Sequence, residues 1–520
     1  DVVDRPSNPY GFLVYKSRWE GVFLPIGYAL GDFINEHLVK IRKVEMEGIA
    51  YVGLVGTFVA IGSIVRLLWV LVKERSQARF LPFAVDTSKN KFLIGAFLSA
   101  FVLLLFACGV PFIWNLDWVL DYTGPLKQFR GIGRFAWIWY YVWNIIVFCS
   151  MYYWIQKINS NTLKTMCWII LFAIPIYEIQ ELYRRGFYNI TTLTELDKNT
   201  LTNEHWTKQI DTEKYQAILP LPYFHIGSEN FWREPQGNHL KNILVASLQT
   251  NLPTLGVFMS RTSLAQTLKS IQLTTMPYKN MDLLEDLPNE KPFLVIVKSN
   301  QELSDTEKNI LGLAQPLREE ENIAFYELSI EAIRNYTKTS QVEYIQKDSL
   351  LFEHTSQEFS TDSLKNYVLQ NFEEFTNDQA YEGKGCRNAS YQDKLIFKEK
   401  LPYQQAEKQY LISLWVYVQK DLIPDIYISA LEEDTATKEI LQRNPYLIRK
   451  QIKTIDTQEG WGLIEFPYTP KKSDSELILE LYTAKKRVSS VLLDNLLIRP
   501  ATTNVYKQEN DGLWKNNVLF

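Results

Sequence analysis

Apolar runs of two lengths divide this chain. Four long ones come first, at about Ile49–Val72, Phe92–Trp114, Phe135–Ile155 and Met166–Leu182, each near the roughly 20 residues that a helix needs to cross a hydrocarbon core of about 30 Å. The pattern predicts four transmembrane helices. Arg66 interrupts the first, where its long stem can snorkel toward the end marked by Lys73, Arg75 and Arg79. The third opens Phe135-Ala-Trp-Ile-Trp-Tyr-Tyr-Val-Trp143, the aromatic crowding of a helix that enters at the headgroup level. No single short apolar stretch starts the chain, so no secretory signal peptide is read.

Beyond Tyr183 the apolar runs shorten. From about 214 to 338, the runs Gln216–Leu221, Pro292–Lys298 and Ile323–Leu328 alternate with the amphipathic stretches Leu255–Leu273 and Thr306–Leu317, which predicts a small α/β domain. A polar stretch follows. After about 390, seven alternating runs spaced by turn residues (Lys394–Lys398, Tyr410–Val418, Asp425–Ala430, Tyr446–Lys453, Gly462–Phe466, Glu476–Thr483 and Ser490–Ile498) predict an antiparallel β-sandwich. The expected fold is thus a multidomain membrane protein: an outward loop region (1–48), a four-span α-helical transmembrane bundle (49–183), an α/β domain (184–338), a connector (339–389), a β-sandwich (390–505) and a tail (506–520).

Charge sharpens this division. Residues 1–183 carry 17 Lys/Arg against 13 Asp/Glu, and 184–520 carry 38 against 46, so a basic membrane part precedes an acidic one. Lys73, Arg75, Arg79, Lys89 and Lys91 lie between spans one and two, with Lys157 and Lys164 between spans three and four. The positive-inside rule places both loops in the cytoplasm. Residues 1–48, 115–134 and everything after 183 then face outward, which in a bacterium means an inner-membrane protein with its C-terminal domains in the periplasm. Overall composition, with 46% hydrophobic and 22% charged residues in 520, averages two unlike parts and describes neither. The acidic outward part would repel nucleic acid. Four cysteines, at 108, 149, 167 and 386, offer neither a CxxC pair nor metal-ligand spacing, and the five histidines are well separated. No metal site and no cofactor is evident. The chain opens on Asp1 rather than Met, which reads as a processed product or a fragment whose active site lies upstream.

The most informative motif is Gly124-Pro-Leu-Lys-Gln-Phe-Arg-Gly-Ile-Gly-Arg-Phe-Ala-Trp137, an outer loop between spans two and three. Lys127, Arg130 and Arg134 set three cations at the membrane surface, beside glycines that let backbone approach a ligand. Arginine binds phosphate oxygens bidentately, so the loop suits a lipid phosphate or diphosphate; general headgroup anchoring explains the same residues. The Phe129-Arg-Gly-Ile-Gly-Arg-Phe135 pattern, with Asn8-Pro-Tyr-Gly11 and Glu47-Gly-Ile-Ala-Tyr-Val-Gly-Leu54, resembles segments of large bacterial membrane proteins related to the GT-C fold glycosyltransferases. The resemblance covers about 90 residues. It implies a polyprenyl-phosphate or polyprenyl-diphosphate sugar as donor, a glycan or protein acceptor outside the membrane, and a catalytic acidic residue in a first outward loop upstream of Asp1. Within this chain, Asp117 and Asp121 are the candidate catalytic carboxylates: at i and i+4 they share a face if the segment is α-helical, and a carboxylate there can take an acceptor proton or hold a divalent cation near diphosphate. Solvated loop carboxylates, or partners of Lys127 and Arg130, are the plainer reading.

In the α/β domain, Leu219-Pro-Leu-Pro-Tyr-Phe-His-Ile-Gly-Ser-Glu229 follows a strand and places His225, Ser228 and Glu229 at its carboxyl end, where α/β sheets bind ligands. No Gly-x-Ser-x-Gly elbow accompanies them. Ser260 or Thr262 can cap the helix that follows. Gly460-Trp-Gly-Leu-Ile-Glu-Phe466 and Val491-Leu-Leu-Asp-Asn-Leu-Leu-Ile-Arg-Pro500 resemble the closing strands of jelly-roll domains found in carbohydrate-binding modules. Trp415, Tyr417, Tyr427, Trp461 and Tyr482 are candidate sugar-stacking rings, against the alternative that strand alternation buries them. Asn189-Ile-Thr, Asn335-Tyr-Thr and Asn388-Ala-Ser match the N-glycosylation triplet, while Asp348-Ser-Leu, Asp362-Ser-Leu and Asp434-Thr-Ala match a short O-glycosylation acceptor pattern of some Gram-negative bacteria.

The leading expectation is the C-terminal part of a GT-C-like glycosyltransferase that takes sugar from a polyprenyl-linked donor. Its rival is a non-enzymatic, membrane-anchored glycan-binding or scaffolding subunit of a cell-envelope complex. A transporter is disfavoured, since Arg66 is the one clear mid-span charge.

Overall fold

The computed structural model describes residues 11–73, 91–185, 210–227, 231–259, 262–320, 322–346, 348–418, 426–483, 490–509 and 512–520. They form two compact units, one within 7–197 and one within 198–520.

The first unit is helical: α1 (Trp19–Phe23), α2 (Ala29–His37), α3 (Gly53–Lys73), α4 (Lys91–Ala107), α5 (Ala136–Gln156) and α6 (Asn161–Arg184). Small residues let the helices approach. Ala60, Ala100, Ala107 and Ala136 are buried around Trp139 and Trp143, whose rings stack 5.1 Å apart, and the Trp143 indole N–H donates to the Gly56 carbonyl at 3.1 Å. Such small-residue seams are how helices pack where water supplies no driving force. Glu178 of α6 ties the bundle to the start of α3, its carboxylate accepting from the Tyr51 hydroxyl at 2.9 Å and the Leu54 N–H at 3.1 Å.

The four expected spans are corrected to two. Among the described residues, Ile132–Gln156 and Asn161–Arg184 are long and apolar enough to cross a membrane, whereas Gly53–Arg66 and Lys91–Ala107 are shorter apolar stretches. At about 1.5 Å per residue, the 17 residues of α4 reach only about 26 Å. It stops at Ala107 because Gly109, at φ +86°, and Pro111 follow. The first span loses its expected opening turn, since Ala50 and Val52 donate instead to the Gly21 and Val22 carbonyls as extended chain.

The second unit begins with strands β1 (Ala217–Leu221), β2 (His225–Ile226), β3 (Trp232–Arg233), β4 (Val257–Phe258), β5 (Phe293–Lys298), β6 (Gln315–Glu320) and β7 (Ile323–Leu328). β1 and β5 are parallel and β7 and β6 complete an antiparallel flank, in the order β1-β5-β7-β6. Helices α7 (His239–Thr250), α8 (Leu264–Ile271), α9 (Asp305–Gly312) and α10 (Ile330–Ile345) accompany this mixed sheet. Every residue of β1 is buried, which explains its unbroken apolar run.

The stretch expected to be a connector carries strands of its own: β8 (Phe352–Glu353), β9 (Glu358–Ser360), β10 (Val368–Gln370) and β11 (Arg387–Ala389). The sandwich strands are β12 (Leu395–Glu399), β13 (Tyr410–Tyr417), β14 (Ile426–Asp434), β15 (Ile440–Leu447), β16 (Ile452–Asp456), β17 (Trp461–Tyr468), β18 (Ser475–Thr483) and β19 (Val491–Pro500). One sheet runs β10-β19-β13-β17-β16, with β11 also on β19, and the other runs β12-β18-β14-β15. Alternation puts Ile412, Leu414 and Val416 of β13 and Ile426, Ile428 and Ala430 of β14 into the shared core. Glu432 carries a carboxylate into this interior, fully buried and held by the N–H groups of Lys471 (2.9 Å) and Lys472 (3.0 Å), the Ser475 hydroxyl (2.7 Å) and the Gln442 amide (2.7 Å). It fastens the loop that enters β18.

The tail is also structured. β20 (Val505–Glu509), β21 (Gly512–Lys515) and β22 (Val518–Leu519) join β9 and β8 in a five-stranded sheet. Side chains of this layer and of the preceding loops cover the outer face of the β13/β17/β19 sheet. Trp415, Trp461, Leu463 and Leu492 are buried there with Val518, Tyr381 stacks on Trp415 at 4.1 Å, and the Trp415 indole N–H donates to the Asn517 carbonyl at 2.8 Å.

Replacing this ring should therefore cost core-like energy. Trp415→Ala is expected to destabilise the second unit by about 3–5 kcal/mol, seen as a lower thermal midpoint of the detergent-purified chain. An unchanged midpoint would show that the cover is not packed on the sheet.

Candidate functional site

The basic segment of the first unit folds as a chain of 3₁₀ turns, Asp117–Tyr122, Gly124–Gln128 and Ile132–Phe135. Three residues per turn rotate successive positions by about 120°, unlike the α-helix that the i, i+4 spacing of Asp117 and Asp121 requires. Asp121 is exposed, Lys127 and Arg130 are half-buried and Arg134 is exposed.

The glycines serve packing inside the protein. Gly133 donates its N–H to the Tyr15 carbonyl at 2.9 Å, and a Cβ there would lie 2.6 Å from that oxygen and 2.8 Å from Gly48 Cα. A Cβ on Gly48 would lie 2.5 Å from the Lys16 carbonyl oxygen, and one on Gly11 would run into the Arg130 carbonyl. Backbone meets backbone at each position. Gly131 alone among these has ordinary space, its nearest neighbour lying 3.7 Å away. The three sequence segments Gly11, Glu47-Gly48 and Phe129–Phe135 thus converge on one place, and the cations ride on its rim.

At the carboxyl end of β1 the chain turns through Pro222 into β2. His225 is fully buried there, its Nδ1 3.5 Å from the Tyr223 hydroxyl and its ring edge-on to Phe231 at 5.8 Å. Burial lowers its pKa to about 4, so the imidazole is neutral at physiological pH. Ser228 and Glu229 lie outside the described residues, as does Ser260. Ser263 caps α8, accepting from Gln266 N–H at 3.0 Å. Sequence reasoning passed over Glu307, which is buried and accepts from Tyr223 N–H at 2.8 Å, from the Ser304 N–H at 2.8 Å and from Arg233 at 3.4 Å. Its Ser304-x-x-Glu307 spacing is a capping box, a signal present in the sequence. The edge is closed by these contacts.

The sandwich aromatics separate by face. Trp415 and Trp461 are buried under the tail and connector, and Tyr417 packs on Trp461 at 5.4 Å; these three rings have protein neighbours on the covered face. Tyr427 and Tyr482 stand on the opposite, outer face of the β12/β18/β14/β15 sheet. They are register partners across β14 and β18, with ring centroids 6.0 Å apart at 57°, and Tyr482 is 49% exposed. Beside them Lys394 pairs with Glu480 at 2.8 Å. Among the described residues, no group of three or more His, Cys, Asp or Glu side chains is placed to hold a metal ion.

Near the covered face, Asp494 is fully buried within β19. Its carboxylate accepts from the N–H groups of Tyr381 (2.8 Å), Glu382 (3.1 Å) and Asn495 (2.7 Å). Burial, with the neighbouring Glu382 charge, raises its pKa to about 7 against these hydrogen bonds.

A family described as a domain of unknown function, DUF6311, matches residues 3–180. No curated protein matches the chain. Among solved structures, similarity reaches a sugar-binding C-terminal domain named EclA (14% identity, TM-score 0.14, 29% of this chain and 84% of that one). It also reaches a Clostridium thermocellum endo-1,4-beta-D-xylanase complexed with xylohexaose (13%, TM-score 0.15, 30% and 26%) and a glycosylation-associated protein complex from Streptococcus agalactiae (16%, TM-score 0.14, 28% and 36%). Likeness at this level carries no argument about fold or function.

Two outcomes follow from the geometry. Gly133→Ala should lower the thermal midpoint of the first unit, as overpacking by about 1–3 kcal/mol would, while Gly131→Ala should leave it unchanged; equal effects would sink the backbone-packing account. For Asp494, a folded-state pKa of about 7 lies above the unfolded value of about 3.9, so its contribution to stability is present at low pH and lost as pH rises from about 4 through 7. Unfolding midpoints across that window should fall more steeply in the parent than in Asp494→Asn; parallel curves would refute the shift.

Proposed function

We propose that this chain is a membrane-anchored glycan-binding protein whose β-rich unit meets saccharide on the Tyr427–Tyr482 face. That cross-strand pair carries the reading. Two neighbouring phenol rings, Tyr482 half open to solvent and Tyr427 partly buried, lie beside an ion pair and offer what a sugar needs: π faces for its polarised C–H groups and charged acceptors and donors for its hydroxyls. Anchoring is supported by α5 and α6. Exposed Trp137, Tyr140 and Tyr141 at one end of α5 and Tyr152, Tyr153 and Trp154 at the other make two aromatic collars, and α6 exposes Ile169, Ile170, Phe172, Ile176 and Ile179 as a lipid-facing surface would. Lys157 and Lys164, on the short turn between α5 and α6, favour an inner side for that turn and hence an outer side for the β-rich unit.

A second reading, transfer of sugar from a polyprenyl-phosphate-type donor held by Lys127, Arg130 and Arg134, is favoured by one observation: the three segments that resemble GT-C proteins meet at the basic rim. In that reading the rim orients phosphate, and the acceptor glycan or protein docks on the β-rich unit. Asp117 and Asp121 remain its candidate carboxylates.

The two separate in one experiment. Full-length chain in detergent, probed on an array of mono- to hexasaccharides of hexose and N-acetylhexosamine, should bind, and Tyr482→Ala should lose about tenfold in affinity, the size of one aromatic stacking contribution. Exposed Tyr391 is the control, and Tyr391→Ala should bind like the parent. Loss that follows Arg130→Gln and Arg134→Gln instead, with a polyprenyl-phosphate sugar as probe, would move the function to the rim.

A further inference from the structure

Three Asp-Ser/Thr-aliphatic triplets stand in the second unit, and the structure sorts them. In Asp434-Thr435-Ala436 the hydroxyl is committed: Thr435 is half-buried and donates to the Asp474 carbonyl at 3.1 Å. The other two behave alike. Asp362 is held by Leu364 N–H at 3.0 Å and the Asn366 amide at 2.6 Å, and Asp348 by the Tyr506 hydroxyl at 2.7 Å and the Asn504 amide at 2.9 Å. Each carboxylate pins a bend, and the serine that follows points outward: Ser349 and Ser363 are exposed, as are Leu350 (61%) and Leu364 (46%) after them. An exposed leucine in each triplet has no packing role to explain it.

Their placement adds a second regularity. Phe352 of β8 pairs with Ser360 of β9, so Ser349 and Ser363 flank the open end of one hairpin. The N-type triplets differ. Asn335 lies within α10, with Thr337 buried and donating back to the Ile333 carbonyl at 2.9 Å; Asn388 lies within β11, paired to β19; Asn189 is outside the described residues. An enzyme that modifies folded protein needs an acceptor on accessible, non-repetitive backbone, and among the triplets in the described residues Ser349 and Ser363 supply it.

We propose that Ser349 and Ser363 are O-glycosylation sites of this protein. The co-reactants are a sugar activated as a lipid- or nucleotide-diphosphate ester and a separate transferase. Serine Oγ bonds to the anomeric carbon as that carbon's bond to the phosphate oxygen breaks; the diphosphate departs with the electron pair and the hydroxyl proton passes to a base of the transferase. The proposal rests on the outward placement of the β-rich unit and on no property of the Tyr427–Tyr482 face.

Lys347 and Lys365 bracket a tryptic peptide, 348–365, that holds both serines. From chain purified from its source organism, this peptide should carry saccharide mass at Ser349 and Ser363, and the peptide containing Thr435 should not. Ser349→Ala with Ser363→Ala should return it to unmodified mass without moving the thermal midpoint. Asp362→Glu should abolish modification at Ser363 alone. Labelling Ser363→Cys in intact cells with a membrane-impermeant maleimide separates the causes of failure. Unmodified peptide in a chain that labels overturns the glycosylation while leaving outward placement intact; a chain that does not label overturns both.

Discussion

Asp494 sits mid-way along β19, the strand on which β10, β11 and β13 all pair, and its carboxylate gathers three backbone N–H groups into the sheet's outer face. Two of those donors, Tyr381 and Glu382, belong to the connector. The neighbouring Asn495 is driven to φ +47°, where the β13 register shifts from Ser413–Leu497 to Trp415–Asp494, so the carboxylate occupies a bulge that re-aims the strand. Asn495 then reaches Glu382 with its amide and accepts from Asn517 with its carbonyl. Connector, central strand and tail are joined at one point, where three backbone N–H groups partly offset the cost of burying the Asp494 carboxyl.

That junction decides which aromatics face water. Once Tyr381 is fixed, its ring lies over Trp415 and beside Trp461 and Trp514, and the tail layer closes over them. Alternation along β13 would otherwise leave Trp415 on an open sheet face, a fine sugar platform. The opposite sheet has no such cover, and Tyr427 and Tyr482 remain accessible. Which aromatic rings of this unit meet solvent follows from where residues 505–519 pack.

The sequence was read well where a single period governs burial. β1 and β5 appeared as unbroken apolar runs and β13, β17, β18 and β19 as alternating ones, because the pleat alone sets which side chains are inside. It was read poorly where burial depends on a distant partner. Nothing local in Val505–Leu519 announces a covering layer, so the sequence leaves Trp415 and Trp461 open between sugar platform and buried ring. Tyr446–Lys453 read as one strand but divides at a 3₁₀ turn, Ile448–Lys450, between β15 and β16. Gly133 looked like a ligand contact because a glycine that admits a phosphate and one that admits a carbonyl have the same sequence. The spans were overcounted because apolarity was measured without asking where the helix begins and ends: Gly109 and Pro111 were visible stop signals, whereas the pairing of Ala50 and Val52 with Gly21 and Val22 was not.

Between the two functional readings, the basic rim and the tyrosine face differ in kind. At the rim, tight packing of Gly11, Gly48 and Gly133 accounts for the glycines, and headgroup anchoring accounts for the cations, so its chemistry adds nothing that folding and membrane contact do not already require. Tyr427 and Tyr482 are different: an exposed ring beside a partly buried one, on a sheet whose inner face is well packed, leaves apolar ring surface in water at a cost. The residues whose placement folding does not explain are the better evidence for binding, and on that ground the Tyr427–Tyr482 face is a stronger candidate than the Lys127–Arg134 rim.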